Sequence, residues 1–224
     1  MTQLKGVGEK IGIVGTVGGA ASVIEPLKQS AEYDFLLRHT AITEGFNGPA
    51  AEAEIKRFGQ VFNKEALATG QTSASIAEAF RDLIQSGMTA QLAEKLIGVH
   101  SHAATAYGIR AEELGHAVFA LGKTLNIDEK SMPLALAGMA QASKEGLFKV
   151  KDFSTYLTGQ SGTAAGLGLQ GVQGAATLFA LNEIVAQRST NPQQAGEITA
   201  TALNYISSRN ARTRFQHAGI DLNA

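Results

Sequence analysis

Apolar residues recur along this chain at three- and four-residue spacing, and most of these stretches end in the same way. A glycine or an asparagine closes the stretch, an apolar residue follows at once, and the motif returns roughly every twenty residues. The closing position of such a helix end needs a positive φ, and the apolar residue packs back onto the last turn. The pattern predicts helices joined by tight turns, with stops at Gly87-Met88, Gly108-Ile109, Asn126-Ile127, Gly146-Leu147 and Gly168-Leu169.

Proline and small polar residues mark where the helices begin. Ser75 and Glu78 have the spacing of a capping box, in which each side chain bonds a free backbone N–H of the first turn. Two connections are predicted between helices, a polar one over residues 64–72 and a flexible glycine-rich one over Gly159–Gly171. The predicted helix starts are Glu25-Pro26, Pro49, Ser75, Thr89, Ser131, Asn191-Pro192 and Arg209.

Strands are expected to be minor, because no long run alternates β-branched and polar residues. The sequence therefore predicts an all-α fold of about nine or ten helices, arranged as an irregular multi-helix array of helical hairpins. We expect two parts, a Gly-rich apolar N-terminal segment over residues 1–25 and a helical domain over residues 26–224.

The N-terminal segment contains a glycine-rich apolar stretch over residues 6–24, GVGEKIGIVGTVGGAASVI. Its uncharged part is shorter than the roughly 18–20 residues that span a bilayer, and each glycine weakens a helix by roughly 1 kcal/mol. Two interpretations stay open: a loosely held helix or arm, or a helix that packs against identical copies or enters a membrane. Glycines four residues apart permit such close packing, and the two pairs are Gly8 with Gly12 and Gly15 with Gly19.

Composition excludes several classes of site. The chain has no cysteine, which rules out disulfides and thiolate metal ligands. Its formal net charge of −1 over 224 residues provides no general attraction to nucleic acid or to acidic membranes. We therefore expect no specific nucleic-acid binding.

Histidine offers two candidate metal sites, and both are weak. His100 and His102 are two residues apart, so on a helix they point in different directions and cannot share a metal. Glu113 and His116 match the Glu-x-x-His unit of di-iron helical bundles, but that site needs a second copy, which the sequence lacks. We interpret Glu113 and His116 as a solvated pair and predict no metal, no cofactor and no catalytic residue.

Other catalytic and binding motifs are equally unsupported. No Gly-x-Ser-x-Gly elbow occurs, and the stretch Gly159–Gly171 follows no predicted strand and lacks Gly-Lys-Ser/Thr, so it is not a phosphate-binding loop. One basic cluster stands near the end of the sequence, and it either forms a solvated helix or docks an acidic partner or a phosphate. Its members are Arg209, Arg212, Arg214 and His217.

The order of these features resembles a known family. The lead GIVGTVGGAASVIEPLKQSAEYDFLL is followed by SASIAEAFRDLIQSGMTAQLAEKLI and then by GIRAEELGHAVFALGKTLNI. MPLALAGMAQASKEGLFKVKDFSTYL, GLGLQGVQGAATLFALNEIV and ARTRFQHAGIDL complete the series. From about residue 15 to residue 222, this resembles the conserved helical region of the tail tape measure proteins of bacteriophages and prophage-derived particles.

The resemblance implies a structural, non-enzymatic protein of the virion tail. Tape measure proteins occupy the lumen of the growing tube, set its length, help to start assembly and leave ahead of the DNA. The implied partners are tail tube proteins, tail tip or baseplate proteins, and tail assembly chaperones, with several copies of the chain along the tail axis. The implied location is the tube lumen or tail tip after assembly in the host cytoplasm, with residues 6–24 as a possible contact to the host membrane.

Chain length sets this sequence apart from a long tape measure. As one continuous helix, 224 residues would extend roughly 340 Å, and the predicted stops forbid a single rod. We expect either a piece of a longer protein or a particle with a short tail. The alternative function is a helical interaction or membrane-active module in which the glycine-zipper-like N-terminus is the working part.

Overall fold

The computed structural model describes residues 17–218, and within this range the chain forms ten α-helices and no strand. The all-α class and the helix number predicted from the sequence are therefore confirmed. The helices are α1 Val17–Thr43, α2 Gly48–Thr69, α3 Ser73–Gln85, α4 Ala90–Tyr107, α5 Ala111–Phe119, α6 Met132–Glu145, α7 Val150–Gly166, α8 Gly171–Ala186, α9 Pro192–Ser207 and α10 Arg209–His217.

The helices share one apolar core, which contains two groups of aromatic rings. α5 packs against both α3 and α7, α1 packs on α2 and α3, and α9 packs on α7 and α8. In the first half, Phe58 and Phe62 each lie 5.2 Å from Phe80, measured between ring centroids. In the second half, Phe153 contacts Phe148 at 4.9 Å and Phe179 at 5.1 Å, both nearly edge to face.

α5 continues directly into a π-helical turn over Ala120–Thr124. A π turn admits one extra residue, and here it keeps Ala120, Leu121 and Gly122 fully buried at the centre of the array. The turn ends at Asn126, whose φ of 57° makes it the one non-glycine residue with a positive φ among residues 17–218. The predicted stop at Asn126 is confirmed.

The predicted glycine stops are all confirmed, because a helix ends at or just before each of them, but the positive φ expected at Gly146 is wrong. Gly87, Gly108 and Gly168 have φ values of 95°, 68° and 85°. Gly146, for which a positive φ was also expected, has an extended backbone with a φ of −104°. A Cβ atom at Gly146 would overlap the carboxylate of Glu183, so that side chain would have to move.

Three predicted boundaries are wrong. The start predicted at Glu25-Pro26 is wrong, because α1 begins at Val17 and Pro26 lies inside the helix. Glu25 is a poor N-cap residue and gave no strong start signal. α2 extends through most of the predicted polar connection 64–72 and ends at Gly70, with a φ of 75°. α3 is capped by Thr72, whose hydroxyl accepts from the N–H of Ser75 at 3.1 Å, so Ser75 is not the cap.

The predicted flexible connection over Gly159–Gly171 is also wrong for most of its length. α7 runs to Gly166, and only residues 167–170 connect it to α8. Gln160, Ser161 and Ala164 are buried on the inner face of α7, so their packing offsets the weak helix propensity of the glycines. The glycine pairs of residues 6–24 lie mostly outside the described residues, and the division at residue 25 stays a prediction.

Candidate functional site

His100 is a buried structural residue. Its Nε2 atom lies 2.6 Å from the carbonyl oxygen of Ala111, and because a carbonyl only accepts, Nε2 carries the proton. Burial lowers the pKa of His100 from 6.5 to about 4, so the ring is neutral at physiological pH. His102 is exposed on the wall of a groove, so the structure does not bring the two histidines together.

The Glu113 and His116 side chains serve no common site. Glu113 accepts from Lys151 Nζ at 2.7 Å and from the backbone N–H of Arg110 at 3.2 Å, which places it at the start of α5 as a capping carboxylate. These hydrogen bonds lower the pKa of Glu113, with the Lys151 bond the largest cause. His116 is exposed. Among residues 17–218, no three His, Asp or Glu side chains are grouped so that they could hold a metal ion.

The basic cluster lies on α10, the last helix of the array. Ser208 caps this helix through the N–H of Ala211 at 3.2 Å, and buried Ala211 docks it on the array. Arg209, Arg214 and His217 are exposed. The Arg214 guanidinium donates to the Tyr205 hydroxyl of α9 at 3.4 Å, so an aromatic ring and a cation lie side by side at this edge.

A polar junction, made of Gln71, Ser75, Thr105 and Glu112, was missed by sequence reasoning. The N–H of Ala111 donates to Ser75 Oγ at 3.0 Å, and Ser75 Oγ in turn bonds the Glu112 carboxylate. Gln71 Nε2 donates to the Ile109 carbonyl at 2.9 Å and to Thr105 Oγ1 at 3.1 Å. The junction ties the α4–α5 turn to the α2–α3 connection, and its groups are occupied in holding helices together.

A second polar feature without a sequence signal is a reciprocal amide pair in the core. Gln160 and Asn182 are both buried, and each amide donates to the other, at 2.9 Å and 2.7 Å. Gln160 also donates to the Gly196 carbonyl at 3.0 Å, which fixes α9 on α7 and α8. Because every donor is satisfied, the pair sets the register of three helices and offers no free reactive group.

An apolar groove of about 490 Å³ lies between α4 and α6. Four of its nine lining residues are alanines, two from each helix, and the Tyr107 hydroxyl donates to the Leu136 carbonyl at 2.7 Å beside it. The groove brings together no acid, base and nucleophile. Its lining residues are Val99, His102, Ala103, Ala106, Tyr107, Pro133, Leu136, Ala137 and Ala140.

Within residues 17–218, no helix combines the length and apolar character needed to cross a bilayer. The predicted membrane contact over residues 6–24 lies partly outside these residues and stays a prediction. The predicted lack of catalytic and metal-binding residues stays a prediction, and several large apolar side chains are exposed on the helices.

Comparison with known proteins agrees with the resemblance seen in the sequence. The chain is 29% identical over 228 aligned residues to a probable tape measure protein of Burkholderia phage BcepMu. The alignment covers 98% of this chain and 26% of that protein, so the chain spans about a quarter of the length of its curated relative. No solved structure matches the chain.

The family comparison covers most of the helical array. The family described as phage-related minor tail protein matches residues 52–224, which include α3 through α10 and most of α2. The match and the phage relative agree with the predicted tape measure resemblance, and together they identify a phage tail protein. The chain belongs to the phage-related minor tail protein family.

Proposed function

We propose that this chain is a structural, non-catalytic part of a tail tape measure protein that acts in tail assembly, in setting tail length and in passage of DNA into the host. The observation that carries this proposal is the similarity to the probable tape measure protein of the Burkholderia phage along 98% of the chain. The family match over residues 52–224 also supports the proposal.

The distribution of polar groups supports a structural role. The buried histidine, the polar junction and the amide pair are all engaged with backbone groups or with each other. Meanwhile several large apolar side chains are exposed on outer helices, including Phe35, Ile42 and Leu67. Such surfaces suit contacts with other tail components better than they suit a reaction centre.

The proposed partners are tail tube proteins, tail tip or baseplate proteins, tail assembly chaperones and further copies of the chain along the tail axis. We place the protein in the tube lumen or at the tail tip after assembly in the bacterial cytoplasm. Residues 6–24 are a proposed contact to the host membrane, and no specific nucleic-acid binding is proposed.

The helical array bears on how this region would measure length. Its longest helix, α1, has 27 residues and therefore extends about 40 Å. Because the chain folds back between helices, this region would contribute much less to tail length than the roughly 340 Å of a fully extended helix. The proposal thus expects the array to act mainly in initiation or at one end of the tape, while other parts of the protein provide length.

The test uses a phage or prophage that encodes the protein, with an early stop codon complemented in trans. Without complementation we expect electron micrographs to show either no tails at all or tubes of uncontrolled length. With the wild-type gene we expect a single tail length. The matched control is Glu113→Gln combined with His116→Ala, which should restore normal tails because this pair is not catalytic. Tails of normal length in the absence of the protein would refute the proposed function.

A further inference from the structure

The first helix of the array borders an acidic groove, defined by Ala31, Glu32, Phe35 and Leu36 of α1 with Glu78 and Arg81 of α3. The groove has a volume of about 410 Å³, which admits an aromatic or arginine side chain. Leu36 is buried, whereas the ring of Phe35 is 63% exposed. The Arg81 guanidinium is already held by Asp82 at 2.9 Å and by Glu78 at 3.4 Å, so the acidic groups outnumber the basic ones around this groove.

The last helices carry the opposite charge, on a basic edge defined by Tyr205, Arg209 and Arg214. The Tyr205 ring is 50% exposed and the guanidinium of Arg214 lies against its hydroxyl. Between Glu197 and Asp221 the sequence contains arginines and no acidic residue. The groove therefore sets exposed Phe35 beside two carboxylates and one guanidinium, and the basic edge sets exposed Tyr205 beside arginines, so the net charges of the two surfaces have opposite signs.

We infer that the basic edge of one copy of this chain docks in the acidic groove of a second copy, in a head-to-tail contact. Arginine suits this role because its guanidinium pairs with a carboxylate through two parallel hydrogen bonds, and the ring of Tyr205 would cover the exposed ring of Phe35. The inference rests on the association of copies included in the proposed function and names the surfaces that would carry it.

The two surfaces differ from each other, so the contact is heterologous. Such a contact leaves a free groove on one copy and a free basic edge on the other, and repetition closes a ring or extends a filament. A polyanion such as DNA or an acidic membrane would use the basic edge alone and would be repelled by the groove. A second copy of the chain accounts for both surfaces at once.

Sedimentation velocity of the full chain tests the contact. The wild-type protein should associate as its concentration rises, and added salt should weaken the association because exposed charge pairs are screened. Arg214→Glu, which reverses the basic edge, and Glu32→Arg, which reverses the groove, should each give monomers. The matched control is Arg188→Glu, the same charge reversal at an exposed arginine between α8 and α9, and it should associate like the wild type.

Mixing the two defective variants gives the decisive result. The Glu32→Arg chain keeps its basic edge and the Arg214→Glu chain keeps its groove, so an equal mixture should associate through this wild-type contact, which neither variant can form alone. Far-UV circular dichroism establishes that each variant is folded. The inference is overturned if the wild-type chain stays monomeric, if either folded variant associates like the wild type, or if the mixture stays monomeric. It is also overturned if the chain binds a DNA duplex or anionic vesicles without self-association. These outcomes leave the complementation test of tail length unaffected, so the two failures are distinguishable.

Discussion

Two corners of the array have the same sequence pattern and different structures. The first corner joins α4 to α5 through Gly108-Ile109, and the second joins α6 to α7 through Gly146-Leu147. In both corners a glycine is followed by an apolar residue, and a basic residue directly precedes the next helix. An acidic residue in the first turn of that helix accepts the backbone N–H of the basic residue. These acceptors are Glu113 in the first corner and Asp152 in the second.

The turn of the first corner is closed by its own backbone, and the polar junction then ties this turn to the α2–α3 connection. Gly108 has a φ of 68°, its N–H donates to the Thr105 carbonyl at 3.0 Å, and the N–H of Ile109 donates to the Ala104 carbonyl at 3.0 Å. A Cβ atom on Gly108 would meet no atom within 4 Å. Glycine is therefore required here for its backbone conformation and for nothing beyond it.

The second corner is closed by side chains. Glu183, from α8, accepts the N–H of Leu147 at 2.8 Å and that of Phe148 at 3.1 Å. Lys149 Nζ donates to the carbonyls of Ser143 at 3.0 Å and of Gly146 at 2.9 Å, which occupies the carbonyls at the end of α6. At position 146 a Cβ atom would overlap the Glu183 carboxylate, so a larger residue would displace that carboxylate from the N–H groups of Leu147 and Phe148. One sequence pattern thus has two physical explanations, one local and one dependent on a distant helix.

Acidification should produce the largest change in the free energy of unfolding, and it acts through His100 at the first corner. His100 donates to the Ala111 carbonyl at the start of α5, and its pKa is about 4 in the folded chain against 6.5 as the ordinary value. Between these values the unfolded chain binds more protons, so the free energy of unfolding should fall as the pH drops from 6.5 through 4. The loss approaches about 3 kcal/mol. Urea unfolding at a series of pH values measures it.

The control for this prediction is His100→Gln, which keeps a polar side chain that does not titrate. The variant should be less stable at neutral pH, yet its stability should vary less between pH 6.5 and 4 than that of the wild type. The assignment fails if both proteins show the same dependence on pH in this range.

Gly146→Ala should cause the next largest loss in the free energy of unfolding. The new methyl group would displace the Glu183 carboxylate, and the N–H groups of Leu147 and of buried Phe148 would lose their acceptor. An unsatisfied buried N–H costs about 1–3 kcal/mol, and we expect about 2 kcal/mol from denaturant unfolding.

A double-mutant cycle isolates this cause. Glu183→Ala should cost a similar amount on its own, and adding Gly146→Ala to it should cost little more, because the carboxylate is already gone. Additive losses from the two substitutions would show that Gly146 is required for another reason.

The two corners also show what the sequence can and cannot predict. Local signals were sufficient where the partner is a few residues away: Thr89 and Asn191 cap their helices, accepting the N–H groups of Leu92 at 3.3 Å and of Gln194 at 2.8 Å. The contacts of Gly146 with Glu183 were not predictable, because they depend on where α8 lies.

The same distinction explains the buried polar groups and the misassigned glycine-rich stretch. Nothing in the local sequence indicates that Gln160 pairs with Asn182. Likewise, the local sequence does not show whether Ser75 caps a helix or, as observed, belongs to the polar junction. α7 continues past Gly159 because its inner face is buried, which is a property of the assembled array. Candidate chemistry was judged by what the sequence lacks, since the Glu-x-x-His unit had no second copy, and the expected absence of a catalytic site stays a prediction.

Gly108→Ala should cost less, about 1 kcal/mol, because the added Cβ is strained at a positive φ although the space around it is open. Gly108→Asn should recover part of this loss, since asparagine tolerates the left-handed region. At Gly146 the same two substitutions should be equally harmful, because any Cβ meets Glu183. Thermal melts of the four variants compare the corners directly. If asparagine and alanine were equivalent at position 108, the positive φ would not be the cause.

The smallest loss of stability should come from removing the ion pair that joins the two corners. Lys151, in the first turn of α7, contacts Glu113 of the first corner at 2.7 Å, but its side chain is 69% exposed. Exposed pairs contribute little because water competes for both charges and salt screens them. Lys151→Met should therefore leave the melting temperature nearly unchanged in high salt and lower it slightly in low salt. A loss of stability as large as that of Gly146→Ala, and independent of salt, would contradict this prediction and would mean that the ion pair couples the two corners. In that case the stability losses of Gly108→Ala and Gly146→Ala would no longer be additive.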